Sequence, residues 1–222
     1  MVDQSMIPAI REAIKQNELG NASPYCLSFA CLGASGASFG IFQGDTNVDH
    51  DARATLLKAL QAKAADVATQ NRIIAAVSRA CPGGNPLTKD DTETANSALS
   101  CDQGIALVDR MDGRLLDVVL SELDSCISAA ASRQQSLASA VQLYVALWVN
   151  MTGAPDTLNK WLGGTQELGL MPPLGPVVTK NDIEKYLQAN TYFRVHPKNF
   201  VHMRDAVATA MPFLPGTVSV AA

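Results

Sequence analysis

Residues 36–46 read GASFGIFQGDT, and this segment decides the fold because it differs from everything around it. Small residues, aromatic residues and polar groups alternate here without a helical period, whereas most of the chain is Ala-rich with apolar residues at helical spacing. The segment follows a short amphipathic helix that is predicted to end at Glu18. We therefore expect a shaped surface at residues 36–46, which makes them the first candidate for a functional site.

The composition restricts the class of protein. Of 222 residues, 47% are hydrophobic and 17% are charged, which is typical of a folded globular chain and excludes a disordered one. No apolar run approaches the length of about 18 residues that a membrane span requires. The net charge of −4 and the lack of a Lys/Arg cluster argue against nucleic acid as the main partner. Because no linker or charge block divides the chain, a single domain over residues 1–222 is predicted.

Helical periodicity dominates the chain on both sides of the segment. Apolar residues recur at helical spacing from Ile7, and Gly20 provides a stop after Glu18. Residues 21–48 are rich in Gly, Ser, Asn and Pro, which predicts an irregular segment or a small β-hairpin. The predicted fold class is therefore mainly α, with a buried central hairpin over 104–151. Further helices are predicted from Asp49 onward and at 67–80, 88–99 (N-cap Thr88), 104–131, 134–151, 180–190 (N-cap Thr179) and 197–211.

The cysteines and histidines point to no metal or cofactor. There is no CxxC pair and no histidine at zinc-finger spacing. Cys81 and Cys101 flank a loop rich in Pro, Gly and Asp, so a disulfide and two reduced thiols are both open. Residues 1–10 lack the basic and apolar regions of a signal peptide, which leaves three expectations for location: retention in the cell, export by another route, or a leader already removed.

A helix that ends in glutamate, a loop of about twenty residues and the segment FGIFQGD at 39–45 together resemble the lysozyme superfamily. The segment is similar to Phe-Gly-Leu-Met-Gln-x-Asp of goose-type lysozymes and to Gly-Leu-Met-Gln of lytic transglycosylases, and chitosanases carry a Tyr-Thr-x-Gly-Ile segment at the corresponding place. The resemblance covers about residues 7–60, and the C-terminal half shows no landmark of the family. It implies a lysozyme-like helical domain that cleaves β-1,4 linkages in an amino-sugar polymer.

Glycosidic cleavage requires an acid that is still protonated near neutral pH, and a partly apolar pocket provides that condition. Glu18 fits this role because the negative end of a helix dipole helps to raise the pKa of a carboxyl. The alternative is that Glu18 is a solvated residue at a helix end. Glu12 is the rival on the same helix, but it lies in mid-helix and is expected to pair with Lys15 or Gln16.

A second carboxylate would hold or activate a water molecule, or stabilise the oxocarbenium-like transition state. Asp45 is the first choice, because it follows Gln43 by two residues and shares its face in an extended segment. Asp49 and Asp51 lie close behind, and Asp49 also suits a helix N-cap. No acid lies between Glu18 and residue 36, so the stereochemical outcome stays open. The residues predicted to bind the sugar are Ser38, Phe39, Gln43, Thr46 and Asn47.

The sequence thus predicts a glycoside hydrolase or lytic transglycosylase that acts on peptidoglycan, with chitosan or chitin as the neighbouring substrate. The competing class is a non-enzymatic interaction module or effector on a lysozyme-like scaffold. A Cys/His hydrolase that uses Cys26 or Cys31 is a third alternative, although nothing local marks either thiol as a nucleophile. The acidic net charge disfavours an anionic cell wall more than it disfavours glycosidase chemistry. The oligomeric state is not specified by these patterns.

Overall fold

The computed structural model describes residues 1–30, 33–153 and 155–215. The protein is 63% helical, with ten helices and a small three-stranded antiparallel sheet in these ranges, so the predicted mainly-α class is confirmed. Residue contacts divide the chain into a terminal unit (Met1–Gly20 and Asp117–Ala222) and a middle unit (Asn21–Leu116). Within the described ranges, no helix combines the length and the apolar character needed to cross a membrane.

The elements are numbered in chain order. The helices are α1 (Ile7–Glu18), α2 (His50–Ala62), α3 (Val67–Val77), α4 (Lys89–Ser100), α5 (Asp102–Ala131), α6 (Ser139–Thr152), α7 (Asp156–Leu162), α8 (Lys180–Ala189), α9 (Thr191–Val195) and α10 (Pro197–Ala210). The strands are β1 (Ser28–Phe29), β2 (Ala37–Phe39), β3 (Gly44–Asp45), β4 (Ser136–Leu137) and β5 (Val177–Val178). Helix α5 contributes its first half to the middle unit and its second half to the terminal unit.

Side-chain caps fix where several helices begin. The Asp49 carboxylate accepts a hydrogen bond of 2.7 Å from the amide of Asp51, so Asp49 is the N-cap of α2. Thr88 caps α4 as predicted. Thr179 caps α8 in a capping box, in which Thr179 and Asp182 satisfy each other's backbone amides.

The middle unit is built on the sheet that contains the segment 36–46. Strand β2 lies between β1 and β3, with Ser38 opposite Ser28 on one side and opposite Asp45 on the other. The β-hairpin expected within residues 21–48 is thus present, as part of a three-stranded sheet. Its core is formed by apolar side chains of β2 and of α2 to α5, which are Ala37, Phe39, Leu56, Leu60, Ile73, Val77, Leu99, Val108 and Met111.

The terminal unit is built around α6, on which every residue from Leu143 to Val149 is buried. Helices α1 and α10 both pack against α6 and against each other. The helix predicted over 134–151 begins only at Ser139, because the residues before it form β4, which pairs in parallel with β5. Helix α5 is amphipathic and not buried on all sides, since Val118 is 55% exposed, which corrects the predicted buried hairpin.

Close packing at the start of α5 gives a test of the fold. Gly104→Ala should lower the free energy of unfolding by about 2 kcal/mol, because a Cβ atom there would lie 2.0 Å from the carbonyl oxygen of Ala98. Gly113→Ala is the matched control on the same helix, where a Cβ atom meets nothing within 4 Å. It should stabilise the protein by about 0.5–1 kcal/mol through helix propensity. Denaturant unfolding measures both changes, and a loss of similar size in both variants would contradict this account of Gly104.

Candidate functional site

Glu18 is the last residue of α1 and its side chain is partly buried in the terminal unit. Its Oε1 atom accepts two hydrogen bonds, one of 3.1 Å from the Asn17 side-chain amide and one of 3.0 Å from the Asn150 side-chain amide of α6. Among the described residues, none donates a hydrogen bond to Oε2. The carboxyl is therefore asymmetric, with one oxygen fixed by the protein and the other available for a proton.

Burial raises the pKa of Glu18 above its ordinary value of 4.5, and it is the largest influence on this group. The hydrogen bonds from Asn17 and Asn150 favour the ionised form and oppose that shift. A carboxyl with a raised pKa keeps its proton closer to neutral pH, which is the property that general-acid catalysis requires.

The raised pKa predicts how stability depends on pH. Below about pH 4, Glu18 is protonated in both the folded and the unfolded chain and contributes no difference. As the pH rises above 4.5, the unfolded chain loses the Glu18 proton before the folded chain does. The free energy of unfolding therefore falls until the pH has passed the higher folded-state pKa, where Glu18 is ionised in both states. The thermal midpoint of Glu18→Gln should therefore match that of the wild type near pH 4 and exceed it near pH 8. A difference that stays constant over this range, measured by calorimetry, would contradict the assignment.

Asp45 lies in β3 of the middle unit, and both oxygens of its carboxylate accept hydrogen bonds from nearby residues. Oδ2 accepts a hydrogen bond of 2.5 Å from the Ser35 hydroxyl, and Oδ1 accepts one of 2.8 Å from the Asn47 amide. The Gly36 amide donates to both oxygens, at 3.0 and 3.1 Å. These contacts tie the loop before β2 to the residues after β3.

Residues 41–47 alternate between partly exposed and buried positions, although only Gly44–Asp45 is a strand and turns lie on either side of it. Gln43, Asp45 and Asn47 are each partly exposed. Thr46 is fully buried, where its hydroxyl donates a hydrogen bond of 2.6 Å to the carbonyl of Val77.

Two further predicted sugar-binding residues also lie inside the middle unit. Phe39 has no exposed surface and Ser38 is 7% exposed. With Thr46 they pack or hydrogen-bond in the interior, and they offer no face to a polymer. Of the five residues predicted to bind the sugar, the structure leaves Gln43 and Asn47 partly exposed.

The turn between β2 and β3 has a constrained backbone. Gly40 adopts a φ of +82° and Gln43 a φ of +54°, which is unusual for a residue with a side chain. The Gln43 side chain helps to close the turn, because it donates to the Gly40 carbonyl at 2.9 Å and accepts from the Ser28 hydroxyl at 2.5 Å. The turn therefore holds Gln43 in one orientation.

Asp112 of α5 is a residue of this region that sequence analysis missed. It is fully buried, and its carboxylate accepts hydrogen bonds from the amides of Ile41 (2.9 Å) and Phe42 (3.4 Å). Its signal in the sequence is its position four residues from both Val108 and Leu116, which are buried on the same helix face. An acid in such an apolar stripe indicates a buried polar contact.

The other candidate acids have partners within their own units. Asp51 forms an ion pair of 3.2 Å with Arg114. Glu12 accepts a hydrogen bond of 2.7 Å from Gln16 and pairs with Lys15 at 3.9 Å, as predicted for a mid-helix residue. Glu18 differs from both because it forms no ion pair with any described residue.

The cysteines show no arrangement for catalysis in the described ranges. Cys101 carries a free thiol and is therefore not bonded to Cys81. Burial raises the pKa of Cys126 to about 12, so that thiol stays protonated at neutral pH. Cys31 lies outside the described residues. In those ranges, no three side chains of His, Cys, Asp or Glu converge as metal ligands would.

Comparison with known proteins found no match: no family model, no curated protein and no solved structure is similar to this chain at a significant level. The roles of the candidate residues are therefore proposed from their burial, hydrogen bonds and charge within each unit.

Proposed function

We propose that this protein is a glycosidase that cleaves β-1,4 linkages in an amino-sugar polymer, with Glu18 as the general acid. The observation that carries the proposal is the state of the Glu18 carboxyl: partly buried, raised in pKa, anchored through Oε1 and without a protein donor at Oε2 among the described residues. A surface glutamate at a helix end has none of the anchoring that this arrangement provides.

The chemistry follows from that asymmetry. The proton on Oε2 passes to the glycosidic oxygen as the bond from this oxygen to the anomeric carbon breaks. Positive charge then develops on the sugar, and the newly ionised Glu18 stabilises it. A water molecule adds to the anomeric carbon and gives up a proton, which restores the acid. Asn17 and Asn150 hold the carboxyl in one orientation throughout the cycle.

Asp45 is the predicted second carboxylate, and its contacts favour a positioning role within the proposal. Both of its oxygens already accept hydrogen bonds from Ser35, Gly36 or Asn47. In this role Asp45 shapes the loop that presents Gln43 and Asn47 to sugar hydroxyls. The corresponding reaction uses one essential acid, as the resemblance to the lysozyme superfamily allows.

Charge bears on the choice of polymer. The net charge of −4 would slow encounter with an anionic wall polymer and would favour a cationic one such as chitosan. Peptidoglycan remains the first substrate of the proposal because of the segment at 39–45, and chitosan is the second.

The engaged carboxylate of Asp45 is the observation that favours the alternative, a non-enzymatic interaction module on the same scaffold.

The experiment that tests the proposal is a cleavage assay with the full chain on purified peptidoglycan and on chitosan in parallel. Release of soluble fragments from either polymer would support the proposal, and new reducing ends would distinguish hydrolysis from transglycosylation. No release from either polymer by protein that is shown to be folded would favour the interaction module, which a polymer pull-down then tests directly.

A further inference from the structure

A small cleft lies between α2 and the first half of α5, entirely within the middle unit. One wall carries Asp51, Thr55 and Lys58 of α2, which recur at helical spacing on a single face. The opposite wall carries Arg110 and Arg114 of α5, four residues apart. Two helix faces thus direct polar groups toward one space.

The cleft is basic although the whole chain is acidic. It contains three cationic side chains and one carboxylate, a balance of +2, whereas the chain has a net charge of −4. Arg114 pairs with Asp51 at 3.2 Å. Within the described part of the chain, Lys58 and Arg110 have no ion-pair partner. Two positive charges therefore face the cleft without compensation.

Thr55 supplies a second and independent observation. Its side chain is only 5% exposed and lines the cleft. Its hydroxyl makes no hydrogen bond to any described residue, and it is not one of the enclosed side-chain atoms that lack a partner, so it is open to the cleft. The hydroxyl can therefore donate a hydrogen bond to an acceptor in the cleft, beside the two cations that have no ion-pair partner.

Size and charge restrict the ligand. The volume of about 60 Å³ exceeds what a single water needs and is far below that of pockets for drug-sized molecules. A carboxylate carries one negative charge, whereas a phosphate monoester carries about −1.5 to −2 at neutral pH. The balance of +2 matches the phosphate, and arginine provides the forked donors that phosphate oxygens accept.

We propose that the α2–α5 cleft is a phosphate-binding site, in which Lys58, Arg110 and Arg114 neutralise the anion and the Thr55 hydroxyl donates a hydrogen bond to it. The phosphate is either free or part of a larger ligand such as a phosphorylated sugar. This site does not depend on the proposed glycosidase activity, since none of its residues takes part in that reaction.

The test is a titration of the full chain with inorganic phosphate, followed by amide NMR at constant ionic strength. We expect saturable binding in the millimolar range or tighter, with shifts confined to residues 51–58 and 107–114. Arg110→Gln and Lys58→Gln should each weaken binding roughly tenfold, and Thr55→Val about threefold. Lys63→Gln, an equal charge change on an exposed cation at the end of α2, should leave the affinity unchanged.

Two further arms identify the source and the charge of the ligand. Equal affinity for inorganic phosphate and N-acetylglucosamine 6-phosphate would indicate that the anion alone is recognised, and tighter binding of the sugar phosphate would indicate a phosphorylated saccharide. Acetate that binds as tightly as phosphate would overturn the dianion assignment. Absence of saturable shifts, or an equal loss in Lys63→Gln, would overturn the site. The amide spectrum itself reports whether each variant is folded.

Discussion

Glu18→Gln is expected to lower the rate of polymer cleavage by about 1,000-fold, because glutamine cannot donate the proton that the leaving oxygen needs. The amide oxygen of glutamine can still accept the hydrogen bonds from Asn17 and Asn150, so the fold and the affinity for the polymer should persist. The measurement is the initial rate of fragment release at saturating polymer, together with a binding assay. The effect should therefore appear in turnover and not in binding.

Glu12→Gln is the matched control for Glu18→Gln. It makes the same chemical change on the same helix, at a residue whose partners, Lys15 and Gln16, also belong to α1. Its cleavage rate should stay within about twofold of the wild type. If both variants lost activity equally, the loss would reflect α1 as a whole and the assignment of Glu18 would be wrong.

Asp112→Ala is expected to lower the free energy of unfolding by about 3 kcal/mol, because it leaves two backbone amides without their buried acceptor. These amides belong to Ile41 and Phe42 in the turn between β2 and β3. Asp112→Asn keeps one acceptor oxygen and should lose less. Denaturant unfolding measures both values. Asp117→Ala, at an exposed position of the same helix, should change stability by less than about 0.5 kcal/mol.

Binding of the polymer provides a second readout for Asp112. If this residue positions the turn, a folded Asp112→Asn variant should bind the polymer more weakly, because the backbone of Ile41 and Phe42, which leads into Gln43, loses one of its acceptor oxygens. A variant that is less stable but binds the polymer as well as the wild type would indicate a purely structural role.

The helices were largely predictable because their signals are local. Each signal that marks a helix end acts within one turn of that helix. Examples are the stop near Gly20, the N-caps Thr88 and Thr179, and Pro197 at the start of α10. Helices α7 and α9 were missed because they have seven and five residues, too few to show a period. The start of α6 was placed too early because the pairing of β4 with β5 involves residues some forty positions apart.

The candidate site was less predictable because its groups come from distant parts of the chain. The position of Glu18 at the end of α1 followed from local pattern, but Asn150, which anchors its carboxyl, is 132 residues away. The shared face of Gln43 and Asp45 was predicted on the assumption of an extended segment, and local spacing revealed neither the turn at 40–43 nor which residues are buried. The polar side chain of Thr46 suggested exposure, whereas a hydrogen bond to Val77 allows it to be buried.

The contact between Asp112 and the turn also bears on how the protein acquires its shape. The amides of Ile41 and Phe42 find their acceptor 71 and 70 residues further along the chain. Closing so long a loop costs conformational entropy, and contacts between neighbouring residues do not offset that cost. We therefore expect this turn to form late in folding, after α5 has formed. A peptide of residues 36–46 alone therefore lacks the information for its own conformation. Grafted onto another scaffold, the segment would carry the sequence resemblance without the shape.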